Sequence, residues 1–243
     1  MVGAVTFDFW NTIATVAPGA MSEARRRGIL AVCQGAGVEV EPKLLMASLE
    51  EAGQRWERSW AEGVHLHPRE AAATVGESLG VEEAVGEMVA EAFLDAGRQV
   101  DLEFAPGIGL ALAALRERGI RIGIVCDVGF SGGELLRELL DGEGLLGHFD
   151  GWGFSDEVGH YKPAPQIFEA ALGALGARPE EAIHVGDLRR TDVAGAAALG
   201  MGTVRYRGMN LEGDHEDGPE ADVVLDSHDE LVEAVDRLSR RWG

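Results

Sequence analysis

An α/β fold, a Rossmann-like parallel sheet core with an inserted α-helical cap, is what three features of this sequence predict. The first is a short apolar, β-rich run from Gly3 to Phe9 that delivers an aspartate, Asp8, near its end. The second is a stretch from about Met21 to Val100 with helical patterning only. The third is a regular alternation of strand-like and helix-like segments from Pro106 onward, the pattern of a parallel sheet covered on both faces.

Each element has its own reason. Gly3–Phe9 reads as a buried strand, because parallel strands covered on both faces are near-continuous apolar runs. In the helical stretch, Leu45, Leu49, Ala52, Trp56 and Trp60 recur at three- and four-residue steps, one stripe of a helix that opens at Pro42. Segments near Pro68 and Val81 repeat the habit, and breaks fall at Gly35–Gly37, Gly63–Pro68 and Gly80. Downstream, helices are expected over Ile108–Arg118, Glu134–Leu140, Pro165–Leu175, Asp192–Leu199 and Glu230–Ser239. Strands are expected over Ile120–Cys126, Phe149–Phe154, Ala182–Val185, Thr203–Tyr206 and Val223–Leu225. A single strand is not stable alone, so Gly3–Phe9 must join this later sheet. The core is therefore expected to comprise residues 1–14 and 101–243, with a helical cap over 15–100. The acidic stretch Glu212–Glu220, with its glycines and proline, reads as a surface loop.

Composition narrows the function classes. A chain of 243 residues with 46% hydrophobic and 26% charged residues can build a substantial core. Its formal net charge of −21 repels phosphate backbones and anionic lipid, so neither nucleic acid nor a membrane surface is an expected partner. Cys33 and Cys126 lie far apart in unlike contexts and suggest no disulfide framework. Met1–Trp10 lacks a basic segment followed by a long apolar run, so no signal peptide is expected and the expected location is the cytoplasm. Oligomeric state leaves no mark in the sequence.

Ligands of parallel sheets bind outside the carboxyl ends of the strands. Four predicted strands end there in polar residues: Asp8; Cys126-Asp127; Ser155-Asp156, leading to Lys162; and Asp187, followed by Asp192. Singly, each has an ordinary explanation as a helix cap or a turn. Together they bring several carboxylates and one ammonium to one crevice, which stability alone does not call for. Clustered ionised carboxylates suggest a hard cation, most naturally magnesium. Lysine occurs only at Lys43 and Lys162 in an arginine-rich chain, which singles out Lys162 as a compact point charge.

The order of these segments resembles the haloacid dehalogenase superfamily of phosphatases, phosphotransferases and dehalogenases. The residues that carry the likeness are Phe7-Asp8-Phe9-Trp10-Asn11-Thr12, then Ile124-Val125-Cys126-Asp127. Phe154 to Pro163, which includes Lys162, is the third, and His184-Val185-Gly186-Asp187 followed by Asp192 is the fourth. The resemblance implies a magnesium-dependent hydrolase of small phosphorylated metabolites. Asp8 would attack phosphorus to form an aspartyl-phosphate that water then hydrolyses. The metal would be held by Asp8, the Trp10 carbonyl and Asp187, with Asp192 a ligand or a partner behind the ligands. Lys162 would steady charge on the nucleophile and the phosphoryl oxygens. Cys126 and the Asp127 backbone would bind phosphate, and Thr12 would hold the nucleophile loop.

Two positions depart from the family pattern. Trp10 stands where phosphatases of this family usually carry a second aspartate as general acid, and Cys126 where they carry Ser or Thr. A halide leaves without a proton, and dehalogenases of the superfamily have an aromatic residue at the position of Trp10, so 2-haloacid dehalogenation is the rival reaction. Those enzymes work without metal, which the Asp187 and Asp192 pattern opposes. Phosphonate cleavage would need a cap lysine, for which Lys43 is the sole candidate and a helix surface the ordinary place. A binding or regulatory protein of this fold is the remaining alternative, opposed by the intact Asp8, Lys162 and Asp187 set. His65 and His67 are candidate proton donors. Trp56 and Trp60 read as cap packing, Arg25–Arg27 as a solvated helix face, and Cys126 as a buried thiol without reactive character.

Overall fold

The computed structural model describes residues 2–209 and 217–240. Of the acidic stretch Glu212–Glu220, residues 212–216 therefore lie outside the described residues. Six strands form one parallel sheet: β1 (Ala4–Phe7), β4 (Arg121–Cys126), β5 (Gly151–Phe154), β6 (Ala182–Gly186), β7 (Gly202–Tyr206) and β8 (Val223–Leu225). Their spatial order is β5-β4-β1-β6-β7-β8. Two short strands, β2 (Ala14–Val16) and β3 (Leu102–Phe104), make a separate two-stranded ribbon.

The chain folds as two units. One comprises Met1–Thr15, Glu103–Asp127 and Leu140–Gly243; the other comprises Val16–Leu102 and Val128–Leu139. The second unit contains α1 (Ala20–Gly35), α2 (Pro42–Glu62), α3 (Pro68–Leu79) and α4 (Glu83–Leu94). Proline opens both α2 and α3, where its missing N–H costs nothing, and a left-handed glycine closes each, Gly63 and Gly80. Their apolar faces meet around Ile29, Cys33, Leu45, Ala52, Val75, Val89 and Phe93. The Trp56 and Trp60 rings stack with centroids 5.7 Å apart.

In the first unit, α5 (Ile108–Glu117) and α8 (Pro165–Leu175), with the shorter α7 (Ser155–Val158) and α9 (Ala194–Ala198) and the last helix α10 (Leu231–Ser239), surround the sheet. A further helix, α6 (Gly133–Gly142), begins in the second unit and ends in the first. Cys33 and Cys126 are both buried free thiols. No helix among the described residues is long and apolar enough to cross a membrane.

The sheet order explains where a site can form. From β1 the chain adds β4 and β5 on one side, and it later crosses to β6, β7 and β8 on the other. The register pairs Phe7 with Ile124 of β4 and with Val185 of β6. Asp8 thus leaves β1 at the point where the strand order reverses, the usual place for a ligand crevice.

Helix α8 lies against β5 where glycines leave room for it. A Cβ added at Gly153 would stand 2.2 Å from the Ile167 carbonyl oxygen, and one at Gly151 3.0 Å from that of Ala171. Both obstacles are backbone and cannot rotate away. Gly153→Ala should therefore cost about 3 kcal/mol through overpacking, read as a lower urea midpoint with an unchanged slope. Gly35→Ala, whose added methyl meets nothing within 4 Å among the described residues, should change the midpoint little. Equal effects of the two substitutions would contradict this packing account.

Candidate active site

The site is built on strand ends of the first unit. The Asp8 N–H donates to the Val185 carbonyl at 2.8 Å, which continues the sheet pairing one residue past β1 and fixes where the carboxylate starts. The chain then turns tightly around the Phe9 carbonyl, which accepts from Ile13 N–H at 2.9 Å and Ala14 N–H at 3.1 Å. Asn11 takes the left-handed conformation in this turn, with φ of 56°, and its side-chain oxygen accepts from the Thr15 hydroxyl at 2.9 Å. The Thr12 carbonyl is held from behind by His228 Nε2 at 2.7 Å. His228 in turn stacks on Tyr206 with centroids 4.1 Å apart. The loop is thus anchored through the backbone of Thr12. Its buried hydroxyl has no hydrogen-bond partner among the described residues.

Lys162 is the hub. It arrives from the segment after β5 and α7, where its backbone N–H donates to Asp127 Oδ1 at 2.9 Å. Its Nζ bonds Asp8 Oδ1 at 2.6 Å and Asp192 Oδ1 at 2.7 Å, all three side chains being buried. Burial alone would lower the lysine pKa, but Asp192, Asp8 and Asp127 push it well above its ordinary value, so the ammonium keeps its charge.

Asp192 is positioned by two backbone features. Residues 189–193 form a wide turn in which Val193 N–H reaches back five residues to the Leu188 carbonyl, at 3.2 Å. Gly186 supplies the space, since a Cβ there would stand 2.3 Å from Asp192 Cγ. One Asp192 oxygen accepts from Leu188 N–H at 3.0 Å, and the other accepts from His184 Nε2 at 2.9 Å as well as from Lys162. An ionised carboxylate only accepts, so His184 carries its hydrogen on Nε2 and its Nδ1 accepts from the Thr6 hydroxyl at 2.9 Å. Burial holds the imidazole pKa below its ordinary value, which keeps it neutral. Burial also works against ionisation of Asp192, yet Lys162 and His184 outweigh it and hold that carboxyl well below the usual carboxylate range. A chain of hydrogen bonds thus runs Thr6–His184–Asp192–Lys162–Asp8 through the sheet.

Asp8 has the opposite balance. Burial raises its pKa from 3.8 to about 7, only partly opposed by Lys162 and reinforced by Asp192 and Asp127. Oxygens of Asp8, Asp187 and Asp192 lie within 4.8 Å of one another, all three residues buried. One ammonium does not neutralise that many carboxylates. The donor set, hard oxygens only, suits a divalent cation of the magnesium class. Cys126 ends β4 fully buried, and burial next to the Asp8 charge pushes its thiol well up, so it stays protonated.

The structure therefore brings Asp8, Cys126, Asp127, Lys162, Asp187 and Asp192 to one end of the sheet. Trp10 contributes no acid: its ring packs edge-on against Phe9 at 4.9 Å, and an indole N–H is a donor without acid character. His67, a candidate proton donor from its sequence, caps α3 by accepting the Arg69 N–H on Nδ1 at 3.2 Å. Sequence reasoning named His184 only as part of the fourth motif, without a role, and missed Thr6. Both sit inside strands and read there as sheet residues, although a histidine in the apolar run Ala182–Gly186 is an available signal.

Comparison with known proteins places the chain in a family. A family model described as haloacid dehalogenase-like hydrolase matches residues 2–200. A phosphoserine phosphatase of Thermus thermophilus is 38% identical over 60% of this chain and 57% of its own length, so that match spans little more than half of the relative. A glyceraldehyde 3-phosphate phosphatase of Methanopyrus kandleri is 32% identical over 99% of this chain and 100% of its own. Among solved structures, a 2-haloacid dehalogenase from Pseudomonas syringae superposes with a TM-score of 0.70 at 23% identity over the whole of both chains, which speaks to the fold. With the family model matched over most of its length, the chain belongs to the haloacid dehalogenase-like hydrolases.

Proposed function

We propose that this hydrolase is a magnesium-dependent phosphatase that works through an aspartyl-phosphate on Asp8 and acts on a small phosphorylated metabolite. The observation that carries the reading is the buried chain in which Lys162 bridges Asp8 and Asp192, with Asp187 close by. The names of the relatives, both phosphatases, support the same reaction class. Residues 1–14 and 101–243 serve as the catalytic core in this proposal and residues 15–100 as a cap that selects substrate.

Asp8 is the nucleophile. Its carboxylate oxygen attacks phosphorus as the leaving oxygen departs, and water then cleaves the acyl phosphate to return the free carboxylate. Lys162, permanently charged, steadies the Asp8 carboxylate and the phosphoryl oxygens without moving a proton. Asp8, Asp187 and the Trp10 carbonyl would hold magnesium, which when bound supplies positive charge beside the transferring group. Asp192 acts through Lys162, because three N–H donors already occupy most of its lone-pair sites. Cys126 and the Asp127 backbone N–H would receive phosphate.

The metal claim has a pH signature. Without metal, Asp8 is protonated below about pH 7, and a divalent cation takes only the ionised form. Magnesium binding should release a proton there, and the apparent affinity should fall roughly tenfold for each pH unit below that point. Calorimetric titration across buffers tests this, and an affinity that stays flat from acid to neutral pH would contradict it. Asp187→Asn should lower both magnesium affinity and phosphatase activity, the latter on the order of 10²–10³-fold. Full hydrolysis in excess chelator would instead favour the 2-haloacid reaction, which the aromatic side chain of Trp10 would suit.

Trp10 predicts a second pattern. With no acid at that position, aryl and acyl phosphates should be cleaved far faster than alkyl phosphates, whose departing alkoxide needs a proton worth ~10²–10⁴ in rate. Trp10→Asp should narrow the gap. A flat dependence on leaving-group pKa, unaltered by His65→Ala and His67→Ala, would mean that Trp10 does not limit the chemistry.

A further inference from the structure

His228 is buried in the first unit at a cost that packing alone does not explain. It opens the short turn His228–Glu230 ahead of α10 and is wholly shut off from solvent. Its ring stacks on Tyr206 with centroids 4.1 Å apart, and the Phe7 ring stands tilted at 6.4 Å. A hydrocarbon ring would fill that space without taking polar atoms out of water. The imidazole brings two. Its Nε2 lies 2.7 Å from the Thr12 carbonyl, and because a carbonyl only accepts, Nε2 carries the hydrogen. Nδ1 is then a bare acceptor, buried with no hydrogen-bond partner among the described residues. Burial lowers the imidazole pKa against the opposing pull of the Thr12 carbonyl and Asp229, so the ring is neutral at neutral pH.

The return on that cost is the grip on Thr12, 216 residues earlier in the chain. Thr12 belongs to the loop that follows Asp8. Inside the loop, Asn11 N–H donates to the Ala14 carbonyl at 2.8 Å, and Ile13 and Ala14 donate to the Phe9 carbonyl. Two donors from distant parts of the first unit hold adjacent carbonyls of the same loop: Ala105 N–H holds that of Ile13 at 2.8 Å, and His228 holds that of Thr12. Between Asp8 and Thr12 lie Trp10 and Asn11, the latter in the left-handed conformation. Freeing the Thr12 carbonyl would let this stretch re-orient.

We propose that His228 is a positioning residue for the reaction: its hydrogen bond to the Thr12 carbonyl fixes the loop that carries the Asp8 carboxylate and the Trp10 carbonyl. The proposal rests on the reading of Asp8 as nucleophile and of the Trp10 carbonyl as a magnesium ligand. His228 touches neither substrate nor metal in this account. It acts through the backbone, so its loss lowers magnesium affinity and kcat and leaves KM nearly unchanged.

Two substitutions separate what the ring does. His228→Gln keeps an N–H donor at the reach of Nε2 and loses the stack on Tyr206, whereas His228→Phe keeps the stack and loses the donor. His228→Leu is the donor-free alternative should the phenyl ring not fit, and urea midpoints show that each variant is folded. Calorimetric magnesium affinity should fall roughly 10–100-fold in the donor-free variant, the size expected when a group behind a metal ligand is removed. Its kcat on an aryl phosphate at saturating magnesium should fall on the order of tenfold, and His228→Gln should stay within about threefold of wild type in both measurements. Hydrogen exchange at the amides of Asn11, Ile13 and Ala14 in metal-free protein should quicken in the donor-free variant and not in His228→Gln. Equal losses in the two variants, or a folded donor-free variant that matches wild type in magnesium affinity and kcat, would overturn the proposal. A wild-type protein that binds no magnesium would instead defeat the metal reading, and the exchange comparison would still decide whether His228 holds the loop.

Discussion

The buried ammonium of Lys162, shared between Asp8 and Asp192 at 2.6 and 2.7 Å, is the contact on which the rest of the site depends. Several carboxylates at one end of a sheet repel each other and lose their hydration, and each of those effects drives protonation. The lysine divides them into two populations. Asp192, with Lys162, His184 and Leu188 around it, is held ionised. Asp8, with Lys162 alone against burial and two neighbouring carboxylates, is left with its pKa near 7. Two aspartates of the same kind, one fixed as an anion and one poised, arise from unequal numbers of hydrogen-bond donors.

That inequality comes from the backbone. Asp192 reaches its donors because a wide turn sets it back toward β6 and because Gly186 has no Cβ to block it. Asp8 is held by sheet pairing up to its own N–H, after which the chain turns away around the Phe9 carbonyl. The parallel sheet thus acts as a ruler. It places β1 between β4 and β6 with Phe7 level with Ile124 and Val185, so Asp8, Cys126-Asp127 and Asp187 all follow within three residues of that level at one end of the sheet.

Much of this was legible from the sequence, for a physical reason. Strands buried on both faces read as apolar runs, so the six core strands stand out, and the polar residues that end them mark the crevice. The ribbon strands Ala14–Val16 and Leu102–Phe104 were not legible, because three residues carry too little periodicity. Segment Val128–Leu139 follows the second strand of the sheet in sequence yet belongs to the second unit, a tertiary choice with no local signal. The Thr6–His184 support was hidden because a strand residue shows its face only once the register is known. Arg25 was hidden among Arg25–Arg27, where composition suggests one solvated face, whereas the rings that cover it, Phe93 and Phe130, are distant in sequence.

The central claim is that the poised carboxylate of Asp8 becomes covalently phosphorylated. Rapid acid quenching during turnover of an aryl phosphate, followed by peptide mass spectrometry, tests it most directly. The account predicts a hydroxylamine-labile phosphoryl group on the peptide that carries Asp8, formed before free phosphate accumulates and absent in Asp8→Asn. Phosphate release at full rate with Asp8 unmodified at every quench time would contradict it.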